Sequence, residues 1–189
     1  MNPNSGSLRR FLEESPFPDY LERCWNGRYY LNFPVESGKS TYDPGGVCAH
    51  VLYYLVYTGV LGISRVPRGR AAQLAEWLAT QVREDGYCLT EDGFTDHPAY
   101  ASTLGDALGA ALFHAGKIGL AGEAKERVLA ALTRLAERHP RIRFPEGAQG
   151  KTQQLRFELR IYYWMMLFSA DPVWKERFDL AMERGIHSY

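Results

Sequence analysis

Apolar residues recur along this chain at helical spacing, and the helices they predict come in two kinds that alternate. One segment opens at Thr41-Tyr42-Asp43-Pro44, is apolar on most sides and ends at Thr58-Gly59-Val60-Leu61-Gly62; a second opens at Thr95-Asp96-His97-Pro98 and ends at Ala115-Gly116-Lys117-Ile118-Gly119. Each is followed by an amphipathic helix. Arg68 to Arg83 places Ala71, Leu74, Ala75, Leu78 and Val82 on one stripe. Gly122 to Arg138 gathers Val128, Leu129, Leu132 and Leu135 on one side and leaves Glu123, Lys125, Glu126, Arg127 and Arg134 on the other. Pro in a first turn has no N–H to lose, and Gly past a last turn accepts the left-handed cap, so both residue types stand where helix ends want them.

These signals repeat. Pro44 and Pro98 are 54 residues apart (98 − 44), and Gly59 and Gly116 are 57 apart (116 − 59). A third unit follows, with Thr152 to Phe168 apolar nearly all round in its second half and Asp171 to Arg184 amphipathic behind the Asp171-Pro172 cap. The pattern therefore predicts an all-α fold of about three inner-outer helical hairpins over residues 43–189, preceded by a lead-in over 1–42 with short helices at Leu8 to Glu14 and Tyr20 to Trp25. Alternating buried and exposed helices of this period match a partial α/α toroid, in which inner helices surround a cavity and outer helices cover them; antiparallel bundles and solenoids share the pattern. A complete toroid uses about six hairpins, so three make an open arc, half a ring, or one part of a ring that a second copy or another partner completes. Gly86 to Leu89 and Ile142 to Phe144 read as short extended pieces. Gly38-Lys39-Ser40 has the ending of a phosphate-binding loop, but no strand precedes it and Phe33 stands where the first glycine belongs.

Charge narrows the function. The chain has 189 residues with 22 Lys+Arg against 22 Asp+Glu, a balance that disfavours nucleic acid and anionic membrane surfaces as partners. Its apolar runs are too interrupted for a membrane span, and Met1 to Ser7 is unlike a signal peptide. Cys24, Cys48 and Cys88 form no CxxC pair, which suits free thiols in a reducing, cytoplasmic setting. Aromatic residues reach 13% of the chain, enough to line a cavity as well as pack a core.

The stretch Trp77-Leu78-Ala79-Thr80-Gln81-Val82-Arg83-Glu84-Asp85-Gly86-Tyr87, with His97 to Leu108 after it, resembles the repeat of terpenoid cyclases and protein prenyltransferases. Those proteins close an outer helix with Gln, then Asp-Gly and an aromatic, before the next inner helix. The physical basis is a cap in which Gln81 reaches freed carbonyls and Gly86 takes the left-handed turn. The resemblance implies the toroid fold and, at that level, an aromatic-lined cavity. The Asp-x-Asp-Asp acid motif and the Asp-rich diphosphate motif of those families are absent. Cys48 and His50 lie about 200° apart around a helix and cannot share a metal ion, so neither a metal nor another cofactor is expected.

Candidate chemistry sits at the mouth and middle of the inner helices. Asp96 and His97, with Glu91 and Asp92, make an acid and imidazole cluster before the second inner helix; Asp43 occupies the matching place before the first, where it also suits an N-cap. Asp106 lies mid-helix among Leu104, Gly105, Ala107, Leu108 and Gly109, where a carboxylate needs a partner or a proton. Arg156 and Arg160 share a face of the third inner helix with Tyr163, while Glu158 and Tyr162 share another; the guanidiniums suit a carboxylate or phosphate ligand, or an internal pair with Asp106 or Glu158. Tyr53, Tyr54, Tyr100, Tyr162 and Trp164 are the expected cavity walls. Three functions fit: a small cyclase-like lyase or isomerase with Asp106, Asp96 or His97 in the acid–base role; a sugar-processing toroid; and a non-catalytic scaffold whose concave face binds a peptide or protein.

Overall fold

The computed structural model describes residues 3–63, 65, 67, 69–90, 93–95, 98–138 and 148–187. Most of them are helical. The lead-in contains α1 (Pro3–Glu14) and α2 (Phe17–Cys24), then a 3-10 turn at Val35–Ser37. A π-helical turn at Pro44–Cys48 runs straight into α3 (Ala49–Leu61), which is followed by α4 (Arg70–Thr80). A short antiparallel hairpin, β1 (Cys88–Thr90) and β2 (Gly93–Thr95), leads to α5 (Pro98–Phe113), the one-turn α6 (Ala115–Ile118), α7 (Gly122–Arg138), α8 (Ala148–Phe168) and α9 (Val173–His187). The extended piece expected at Ile142 to Phe144 lies outside the described residues.

The hairpins pack in the expected order. α3 packs on α4, α5 on α7 and α8 on α9, while α5 stands between α3 and α8 and α7 covers α4. Neighbouring inner helices run parallel, because residue numbers in contact rise together: Gly45 lies against Tyr100 and Tyr57 against His114, then Gly105 against Ile161 and Gly109 against Trp164. The outer helices pair at a slightly shorter step, with Arg127 paired to Glu76, 51 residues back, and Arg134 donating to the Val82 carbonyl, 52 residues back.

Local signals place the helix ends. The Asp43 carboxylate accepts the Gly46 N–H at 2.8 Å and Asp171 accepts the Val173 N–H at 3.0 Å, satisfying donors that a first turn leaves open. The left-handed caps are Gly62 (φ +67°) and Gly119 (φ +76°), one turn beyond Gly59 and Gly116, though the spacing between them is the same. Gly59 instead faces Ile118, which lets α6 lie close to α3. The Gln81 to Tyr87 turn also does more than cap its own helix. Gly86 (φ +78°) sits where a Cβ would be 2.5 Å from the Arg134 carbonyl, and the Arg138 guanidinium lies over the Tyr87 ring, so the turn docks α4 onto α7.

Leu52, Leu78, Leu104, Leu108, Leu132 and Ile161 are fully buried and join the two layers. The segment Pro44–Leu61 is long and apolar enough to cross a membrane by length and composition, yet half of it is buried inside this fold as a core helix. All three cysteines are free and buried. Burial pushes the Cys48 and Cys88 thiols up to about 12, so the reactive thiolate is scarce at neutral pH. Iodoacetamide is therefore expected to label Cys48 and Cys88 only as fast as the native chain unfolds; stoichiometric labelling of the folded protein within minutes would contradict the burial.

Candidate functional site

One stripe on each inner helix faces away from the outer layer's packing. On α3 it carries Tyr53 and Tyr57, on α5 Asp106, Gly109 and Phe113, and on α8 Arg156, Arg160, Trp164 and Leu167, at the three-, four- and seven-residue steps that keep side chains on one helix side. Parallel packing brings the three stripes level with one another. Their centre is Asp106, whose side chain is 15% exposed.

Asp106 takes two donors from α8. Its Oδ1 accepts the Trp164 indole N–H at 2.8 Å, and its Oδ2 lies 2.9 Å from Arg160 Nη1. Tyr53 stands beside the same carboxylate: burial first, and Asp106 second, push its hydroxyl above the usual range. Gly109 makes this possible. A Cβ there would fall 2.3 to 2.5 Å from three indole atoms of Trp164, so only glycine lets the ring lie flat on α5 with its N–H turned to the carboxylate.

Around the polar centre runs an aromatic surface. Tyr53 and Tyr57 stack with planes 3° apart, Tyr57 meets His114 edge-on, Phe113 leans on Trp164, and Trp164 stacks on Phe168. Much of it is open: Phe113 is 59% exposed, Tyr57 48%, Tyr163 47% and Leu167 46%. Two concavities among the described residues have other walls. One of about 700 Å³ lies where α3 ends near α6, against Leu55, Ile63 and Ile118, and one of about 490 Å³ lies between α2 and α3.

Of the residues singled out from the sequence, Tyr53, Asp106, Arg160 and Trp164 meet in one network, and Arg156 is exposed one turn before Arg160. The others part from them. Tyr54, a residue on from Tyr53, turns beneath α2, with Phe17 edge-on at 4.9 Å. Tyr100 packs against Gly45 at the start of α5, and the Asp43 charge, burial and a hydrogen bond to Asp43 raise its hydroxyl. Tyr162 is buried toward α9, against Trp174 and the Arg177 guanidinium, and burial pushes it up to about 12. Glu158 shares that side and pairs with Arg184 at 2.7 Å. Asp96, His97, Glu91 and Asp92 lie outside the described residues. Sequence reasoning missed Tyr57, Phe113, Leu167 and Phe168, each three, four or seven residues from a member of the network.

A carboxylate held by an indole N–H and a guanidinium is a positioned anion. The arrangement fixes the face and offers recognition through aromatic planes and part of a guanidinium that is 38% exposed. Among the described residues, no three Cys, His, Asp or Glu side chains are grouped to hold a metal ion. No known protein family, curated protein or solved structure matches the chain.

Proposed function

We propose that this chain is a helical-hairpin repeat of the α/α-toroid kind whose inner-helix face binds a protein or peptide partner. The observation that carries the reading is an uncovered aromatic face beside an arginine stripe. Tyr57, Phe113 and Tyr163 keep about half of their surface in water while Arg160, Trp164 and Tyr53 are fixed around Asp106. Tyrosine, tryptophan and arginine are the residue types that dominate binding energy at protein interfaces, and contiguous apolar exposure of this kind marks interaction surfaces. Stacked hairpins present such faces as extended grooves.

The charges select the partner's chemistry. Arg156 and Arg160 outnumber Asp106 on the face, so the partner offers an apolar side chain flanked by a carboxylate. The catalytic alternatives, a cyclase-like or a sugar-processing reaction, need a proton donor; with Asp106 committed to Arg160 and the Trp164 indole N–H, that acid would have to come from Asp96 or His97. Peptide display against the whole chain is expected to enrich aromatic or aliphatic residues next to Asp or Glu. Phe113→Ser and Arg156→Glu, both at exposed positions, should each weaken the enriched peptides at least ~10-fold without lowering Tm. No enrichment, or affinities indifferent to both substitutions, would remove this reading.

A further inference from the structure

The concavity between α2 and the first half of α3 shares no residue with the Asp106 network. Its volume, about 490 Å³, falls in the range of small-molecule sites. Phe17, Leu21, Tyr30, Val51 and Tyr54 supply apolar walls, and acceptors stand among them on Asn32, His50 and Asp43. Asn32 holds its place through its N–H, which donates to the Thr41 carbonyl at 2.9 Å, while its Oδ1 is buried without a hydrogen-bond partner. His50 Nδ1 lies 2.8 Å from the Gly46 carbonyl, which can only accept, so Nδ1 carries the proton and the neutral ring has its acceptor at Nε2. Asp43 adds a carboxylate. The Tyr54 hydroxyl, which can donate or accept, is also buried without a partner.

Acceptors and a negative charge in an aromatic setting call for a ligand that donates and is positive. The start of the π-turn and α3 works against a cation with roughly half a positive charge, and the full charge of Asp43 at the N-cap outweighs it. Arg23, Arg65 and Arg70, whose charges reach Tyr20, Tyr54 and Tyr30 of this wall, are already held by Glu36, Asp19 and Glu22. Aromatic faces add attraction for an ammonium group. We infer that this concavity binds a small apolar primary amine, its ammonium facing the acceptors of Asp43, Asn32 and His50 and its apolar body between Phe17 and Tyr54.

The probe is phenethylamine, compared with the neutral 2-phenylethanol and the anionic 3-phenylpropionate by calorimetry and by amide chemical-shift mapping of the full chain. Phenethylamine should bind with Kd about 1 mM, a strength within reach of nine non-hydrogen atoms, and the alcohol about 10-fold more weakly. The shifts should fall on Asn32, Val47, His50 and Tyr54. Asp43→Asn keeps a good N-cap residue and should cost the amine about 10-fold while leaving the alcohol unchanged. Val47→Trp, at an exposed position of the wall, should abolish binding of both and serves if the first variant fails to fold. The inference is overturned if the alcohol binds as tightly as the amine, if the shifts map to Arg160 and Trp164, or if no binding is seen up to about 20 mM.

Discussion

Gly109→Val is expected to lower the stability of this fold by about 3 kcal/mol. The new Cβ would start 2.3 Å from the Trp164 ring, a distance no side-chain rotation at Val can relieve, so the indole has to leave the surface of α5. Overpacking of this kind costs about 1–3 kcal/mol, and the displaced ring also gives up its 2.8 Å bond to Asp106. The better helix propensity of valine returns only ~0.4 kcal/mol. Urea denaturation measures the loss, and the Trp164 indole N–H resonance should move as its carboxylate acceptor recedes. Gly116→Ala is the matched control: a Cβ there meets nothing within 4 Å, so that variant should gain a few tenths, about 0.5 kcal/mol. A Gly109→Val protein as stable as wild type would mean that Trp164 does not rest on α5.

Asp106→Leu comes next, at about 3 kcal/mol, against about 1 kcal/mol for Asp106→Asn. Leucine leaves the Trp164 N–H facing hydrocarbon, whereas asparagine keeps an oxygen for the indole and loses only the charge. Breaking a fully buried ion pair would cost about 3–5 kcal/mol. Here Arg160 is 38% exposed and can turn to water, which is why the asparagine variant should be mild. Equal losses for the two substitutions would show that the charge, and not the set of acceptors, holds the network.

The helical class and the helix starts were legible in the sequence because caps are local: Asp43-Pro44 and Asp171-Pro172 fix helix starts without reference to anything distant. α7 spans Gly122–Arg138 as its stripe predicts, and α4 is shorter than Arg68 to Arg83 because Gln81 already caps it. The site was legible only in part. Spacing puts Asp106 and Arg160 on facing stripes one repeat apart, but it cannot say which side of an almost wholly apolar helix turns inward. Tyr53 and Tyr54 are one residue and about 100° apart, and Tyr162 and Trp164 two residues and about 200°, so each pair divides between faces that the sequence treats alike. The α2–α3 concavity depends on the irregular stretch from Trp25 to Asp43, where no periodicity exists to be read.

Parallel stacking with α5 in the middle also governs how the molecule comes apart. Each hairpin leans chiefly on its neighbour, so the chain behaves as a short row of coupled units rather than one indivisible core. The aromatic face belongs to no single unit: Tyr53 arrives with the first, Asp106 and Phe113 with the second, Arg160 and Trp164 with the third. Any molecule that touches all three stripes acts as a rivet between units. Its binding free energy is spent on holding α8 and α9 against the rest, and the detachment of that last pair would release it.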